Sequence, residues 1–372
     1  MDLTRTAFGT WSGGRFMHFG ESISDERFLE LIQLAYSLEI RTFITSDVYG
    51  VGRADQMLGK ALEGIDRKEY CLVGMLGHDI YEGKREGSRG YPRFSDSSLR
   101  SSSEYSAYLK MAAEKSLERC QADKFDLVML HNPDEQGYAD QSVWDAMSDL
   151  KVSGLTDSLG IAPGPANGFT LDLIHNFEQF GELLDWAMVI LNPLEPWPGR
   201  LCLKSAQKAN INVLTRVVDY GGIFHGTMKP DHVFREGDHR AYRPEGWVES
   251  GLERVEKMRP ILDKYGLSEI QFASLWNLAH TPVKSVVPTF IQEAGEEALP
   301  IEELVRDFAS MPVENPLTLE EVEEIAGIGD NTGCMLLKGA SKRHEESLRP
   351  DEWPMKPELM EVASRHGLGD DW

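Results

Sequence analysis

Proton carriers, nucleophiles and metal ligands are the side chains that could do chemistry, and this chain offers ten histidines and four cysteines. Cys71, Cys120, Cys202 and Cys334 lie far apart and form no CxxC pair, which points away from a disulfide framework or a zinc cage and toward buried free thiols. A metal reading would gather His18, His78, His131 and His225 at one mouth of the fold, with Asp219 or Asp47 as carboxylate partners. No HExxH or comparable spacing supports that set, so neutral, hydrogen-bonded histidines are expected and no metal is. Neither GxGxxG nor GxxxxGK[ST] occurs, so the two common nucleotide cradles are absent.

These groups must be positioned by the elements that carry them. Short apolar runs alternate with amphipathic helical patterns, the signature of strand-helix-strand units. Eight strands are predicted, at 6–11, 41–46, 70–76, 126–131, 158–163, 186–193, 212–218 and 285–290. Ser24 can cap a helix that places Phe28, Leu31, Ile32, Ala35 and Leu38 on one face. Further helices are predicted near 104–119, 140–151, 170–178, 200–209, 251–265 and 268–280. Eight such units suit a (β/α)8 barrel or a doubly wound open sheet, and periodicity alone does not choose between them.

Two connections exceed the usual loop of about 4 to 6 residues. Residues 77–103 contain five glycines or prolines and seven serines, and residues 219–250 include Gly221, Gly222, Gly226, Pro230, Gly237, Pro244 and Gly246. Both leave the carboxyl end of a strand, where barrel enzymes build their sites, so both are lid candidates. Their aromatics, Tyr81, Tyr91, Phe94, Phe224, Phe234, Tyr242 and Trp247, could stack on a substrate ring or anchor the loops to the body. From Pro312 onward the charge density rises and the pattern is helical, with Thr318 as a cap. Residues 312–372 are therefore expected to form a helical extension packed on a barrel of residues 1–311, sealing its side or mouth or serving a partner.

The charge balance narrows the partners. With 61 acidic and 38 basic residues the formal charge is −23, which repels a phosphate backbone and an anionic membrane surface. No apolar run approaches the roughly 18 residues of a membrane helix, and the start Met1-Asp2-Leu3-Thr4-Arg5 leads into no signal-peptide core. A cytoplasmic protein with a small-molecule substrate, and with no nucleic-acid or membrane partner, is the expectation.

The most informative stretch is Thr42-Phe-Ile-Thr-Ser-Asp-Val-Tyr-Gly50, followed by Arg53-Ala-Asp-Gln-Met-Leu-Gly59-Lys-Ala-Leu62. It resembles the aldo-keto reductase superfamily, in which a strand ending FDTA precedes a tyrosine-glycine pair and a helix with LGxAL. Further likenesses follow in order: Glu114 through Arg119 with Asp126 through His131, Leu150 through Gly160, Gln271 through Leu278, and Val286-Val-Pro288. The resemblance covers residues 5 to 295. It implies a (β/α)8 TIM barrel with long loops after strands 3 and 7, a nicotinamide cofactor (NADP or NAD), and a site in which a tyrosine acid works beside a histidine.

Tyr49 and His131 occupy the tyrosine and histidine places of that site. The family's aspartate and lysine places are Ile44 and Met75. Losing both makes physical sense, because removing one member of a buried ion pair costs about 3 to 5 kcal/mol whereas replacing both by apolar groups can be nearly neutral. The lysine would favour the phenolate of a group whose ordinary pKa is near 10, so Tyr49 lacks that help unless His78, Lys84 or Arg85 supplies it. The cofactor places differ too. Gly160-Ile-Ala-Pro163 replaces a Ser-Asn pair, Met188 a glutamine, Arg216 the aromatic that stacks on nicotinamide, and Thr289 a glycine, while Ile291-Gln-Glu293 offers no cation to a ribose 2′-phosphate.

Three functions follow in order of preference. The first is nicotinamide-dependent oxidoreduction of a carbonyl or alcohol, with a sugar as one candidate substrate, Tyr49 as general acid or base, His131 orienting the substrate oxygen, and Arg216 at the cofactor. The second is a repurposed barrel performing proton transfer without hydride, as in elimination or isomerisation of a keto-sugar. The third is a non-catalytic binding protein.

Overall fold

In the computed structural model the described residues are 2–87, 90–164, 169–243, 245–295, 298–332 and 356–368. Eight strands hydrogen-bond in the order β1 to β8, all parallel: β1 (Ala7–Gly9), β2 (Thr42–Ser46), β3 (Cys71–Leu76), β4 (Phe125–His131), β5 (Thr156–Ala162), β6 (Trp186–Ile190), β7 (Asn212–Arg216) and β8 (Val283–Val287). A parallel bridge from Thr6 to Val286 brings β8 back to β1, so the sheet closes. Closure settles the choice that periodicity left open, in favour of the (β/α)8 barrel.

The strands read as continuous apolar runs because both of their faces are covered. Ile44, Val73, Met75, Leu127, Met129, Met188, Leu214 and Val287 fill the barrel interior. Their chain neighbours Phe43, Leu72, Leu76, Val128 and Leu130 point outward to the helices, as the two-residue period of a strand requires. Helix α1 (Asp25–Ser37) begins as expected, with Ser24 Oγ accepting from the Arg27 amide at 3.2 Å and Phe28, Leu31, Ile32 and Ala35 buried. In α2 (Arg53–Ala61), a side chain at Gly59 would meet the Arg119 carbonyl at 2.7 Å, so glycine sets the close approach of α2 to α3 (Tyr105–Cys120). Cys71, Cys120 and Cys202 are free and buried, and Cys334 lies outside the described residues.

Both long loops are tied down by internal pairs. After β3, buried Arg100 pairs with buried Asp79, and Phe94 stacks on Tyr108 with centroids 5.8 Å apart. After β7, Arg240 is held by Asp238 at 2.8 Å and by Glu293 at 2.5 Å, while Phe234 stacks on Trp247 at 5.6 Å. Beyond the barrel, the helix Leu319–Ile328 starts at the Thr318 capping box and packs on the helix Trp247–Lys264, and the helix Pro357–Arg365 packs on the helix Thr170–Phe180. The Trp276 indole donates to the Val322 carbonyl at 3.0 Å, fixing the helix Leu319–Ile328 to the flank of the barrel. No described helix is long and apolar enough to cross a membrane.

Candidate active site

One cavity of about 1140 Å³, its open mouth included, lies at the carboxyl ends of the strands. The turn after β2 brings Tyr49 to it, and the last residue of β4 brings His131. Their rings meet edge to face with centroids 5.7 Å apart. Trp11, just past β1, closes the other side of the phenol at 6.2 Å and anchors itself by donating to Thr289 Oγ1 at 3.1 Å. Met75, Ala162, Pro163, Met188, Arg216, Thr289 and Ile291 complete the same walls, so most of the places where the chain departs from the family pattern open onto this space, whereas Gly160, Ile161, Gln292 and Glu293 do not line it. Ile44 lies in the packed interior beneath it.

Hydrogen bonding assigns the proton of His131. Ser46 Oγ lies 2.8 Å from the Met75 carbonyl oxygen, which can only accept, so the hydroxyl proton goes there. His131 Nδ1, 2.9 Å from the same Oγ, must then be the donor. The neutral imidazole therefore carries its proton on Nδ1 and keeps the lone pair of Nε2, which has no partner among the described residues. Burial, then Arg93 and Arg216, push the imidazolium down to a pKa of about 3, so the ring is neutral at physiological pH. Burial pushes the Tyr49 phenol up to about 12 against the opposing pull of Arg216. The pair thus presents one hydroxyl donor and one ring-nitrogen acceptor.

The helpers suggested for the missing lysine do not reach the phenol. His78 packs on His131 with centroids 5.2 Å apart, but its nitrogens are engaged by Arg93 at 3.1 Å and the Asn132 side-chain amide at 3.1 Å. Lys84 and Arg85 are exposed on the loop. The cation that acts on Tyr49 is Arg216, from β7, three strands round the closed barrel from β2. Arg216 ends β7 in register with Ile190 and Val287, and its Nη2 donates to the Pro163 and Gly164 carbonyls at 3.0 and 2.5 Å.

The remaining expected residues are dispersed. His18 packs on His239 at 5.3 Å, His225 is buried with neither ring nitrogen hydrogen-bonded, and Asp47 is buried outside the cavity. Among the described residues no three histidine, cysteine or carboxylate groups are placed to hold a metal. None of the seven loop aromatics lines the cavity; Phe94, Phe234 and Trp247 anchor their loops, and Tyr242 is exposed. The aromatic walls come instead from Trp11, Phe19 and Tyr49. The loop after β7 contributes Asp219, Gly221, His239, Arg240 and Arg243, whereas no described residue of the loop after β3 lines it. Trp11, Phe19, Glu195 and Arg243 carry no motif, and only their place on connections leaving the carboxyl ends of strands could have marked them.

A closed parallel barrel with its polar groups at the carboxyl ends of the strands is the arrangement of (β/α)8 enzymes. The Aldo/keto reductase family model matches residues 5–299, and the chain belongs to that family of oxidoreductases. It is similar to the versiconal hemiacetal acetate reductase of Aspergillus parasiticus, 22% identical over 320 residues covering 75% of this chain and 83% of that one. It is also similar to a probable voltage-gated potassium channel subunit beta of Arabidopsis thaliana, 21% identical over 87% of this chain and 93% of that one. Among solved structures, the glycerol dehydrogenase of Gluconobacter oxydans superposes with a TM-score of 0.67 at 24% identity, covering 88% and 92% of the two chains. An aldo/keto reductase from Klebsiella pneumoniae, solved with NADP and acetate, gives 0.59 at 18% identity, covering 90% and 95%.

Proposed function

We propose that the protein is a nicotinamide-dependent oxidoreductase, using NADP or NAD, that reduces a carbonyl compound, with Tyr49 as proton donor and His131 orienting the substrate oxygen. The observation that carries this reading is the Tyr49–His131 pair, ring to ring at 5.7 Å on the wall of one cavity. The residues present fit the ring end of such a cofactor: Trp11, Met188 and Ile190 give apolar surface, and the Arg216 guanidinium, with its Nε buried and unbonded, gives a plane for stacking. When bound, the cofactor supplies the hydride.

The chain's own residues then manage one proton. A phenol with a pKa of about 12 is protonated at neutral pH, hence in the form that donates. The alkoxide left by hydride addition is a stronger base than phenolate, so transfer from the Tyr49 hydroxyl runs downhill without a lysine to tune it. His131 Nε2 can accept a hydrogen bond from the resulting hydroxyl, or from a neighbouring hydroxyl of the substrate, and so fix the oxygen against Tyr49. Proton transfer without hydride is less well served, because it needs a base whose pKa lies near the working pH. Tyr49 at about 12 and His131 at about 3 lie on either side of that range. In this reading the barrel carries the chemistry and the helices Leu319–Ile328 and Pro357–Arg365 brace its flank.

Titration with NADPH and NADH, followed by nicotinamide fluorescence, tests cofactor use; absence of binding at millimolar cofactor refutes the redox reading. Given turnover, Tyr49→Phe is expected to lower it by about 10² to 10⁴. An unchanged rate removes Tyr49 from the reaction.

A further inference from the structure

Arg216 has more hydrogen-bonding capacity than the protein uses. A guanidinium carries five N–H donors. Two are spent by Nη2 on the Pro163 and Gly164 carbonyls, while Nε and Nη1 have no partner among the described residues. Nor does any described carboxylate pair with it. The two acids that line the cavity are committed elsewhere. Glu195 accepts from Asn192 Nδ2 at 3.0 Å, and Asp219 accepts from the Gly222 and Thr289 amides at 3.0 and 2.8 Å. Arg240 has its own counter-ions in Asp238 and Glu293. Arg216 shares the cavity with the apolar side chains of Trp11, Met17, Met75, Met188 and Ile190, and its charge acts on Tyr49 and His131. A cation in such surroundings is costly unless an anion joins it.

From this unpaired cation beside the Tyr49–His131 pair, we propose that the substrate carries a carboxylate and that Arg216 binds it, making the protein selective for oxo or hydroxy acids. A carboxylate is acceptor-only, and the two unspent N–H groups of Nη1 can donate to it. They can do this while the plane of the group faces a ring, because stacking and in-plane hydrogen bonding use different parts of arginine. Bound there, the carboxylate holds the substrate by a point separate from the reacting oxygen, which leaves Tyr49 and His131 to meet that oxygen. A second guanidinium, Arg243, stands at the same cavity against the rings of Tyr220 and Trp247, at 4.6 and 4.7 Å, with no described carboxylate partner. It adds positive potential on the approach to Arg216.

The proposal rests on the carbonyl-reductase reading for the role of the bound molecule, but binding can be measured without cofactor or turnover. Calorimetric titration of the wild-type protein would compare lactate with lactamide and D-gluconate with D-glucitol, pairs that differ in the charged group. At least one carboxylate is expected to bind ten-fold or more tightly than its neutral partner. That preference should vanish in Arg216→Met, and Arg243→Met should weaken carboxylate binding by a smaller factor. Equal binding within both pairs, or a preference that survives Arg216→Met in a variant whose circular dichroism and melting match the wild type, overturns it. Carboxylate binding in a protein that takes up neither NADPH nor NADH would sink the redox reading and leave this one standing.

Discussion

Ile44 and Met75 are read as a joint replacement for a charged pair, and rebuilding that pair tests the idea. Ile44 is 0% exposed and Met75 2%, both within the interior cluster that Tyr49 packs against. Strands β2 and β3 are adjacent, with Ile44 opposite Val73 and Ser46 opposite Met75, so the two side chains lie on one inner face. Ile44→Asp alone buries a carboxylate with no cation beside it, and Met75→Lys alone buries an ammonium. Each is expected to cost about 3–5 kcal/mol, the range for a buried charge left without its partner. The double variant should recover part of the sum, with a coupling of about 0.5–3 kcal/mol. Urea unfolding of the four proteins at neutral pH measures the cycle. The same lysine would place a cation near Tyr49, lowering the phenol from about 12. Tyrosinate absorbance, taken as a difference from the matching Tyr49→Phe protein, follows that titration. A double variant no more stable than the two single losses predict, or a Tyr49 titration that does not move, would refute the joint-replacement argument.

Two further outcomes follow from buried polar groups. Asp47 is fully buried, neither carboxylate oxygen has a hydrogen-bond partner, and the nearby Arg119 is engaged by Asp55 and Tyr81. Burial, then the Asp55 charge, raise its pKa well above the ordinary value, so the folded state holds a proton that the unfolded chain releases near pH 3.8. Its contribution to stability is complete below that pH and is lost as pH rises through the folded pKa. Asp47→Asn should therefore melt higher than the wild type at neutral pH, with the gap narrowing on acidification; a pH-independent gap in scanning calorimetry contradicts the assignment. Ser46→Ala strands the Nδ1–H of His131, at a cost of about 1–3 kcal/mol. It should also lower turnover by freeing the ring to change tautomer, while cofactor binding stays unchanged, and equal turnover by mutant and wild type would show that Ser46 does not set that proton.

The sequence by itself determined the elements and the family. Each of the eight strands overlaps its predicted run, with β8 starting two residues earlier and ending three sooner, Ser24 and Thr318 cap helices as their spacing implies, and the motif around Tyr49 led to the barrel that closure then established. Such features are local: a two-residue or 3.6-residue period and a cap are written within about a dozen consecutive positions. Which side chains share a cavity is not local, because closure brings together residues more than two hundred positions apart. Only the tertiary structure could decide that His18 turns to His239 rather than to His131, that His78 is spent on Arg93 and Asn132, and that the cation acting on Tyr49 comes from β7 instead of β3. The proton on His131 Nδ1 belongs to the same category, since it depends on a hydroxyl from β2 and a carbonyl from β3 meeting the end of β4.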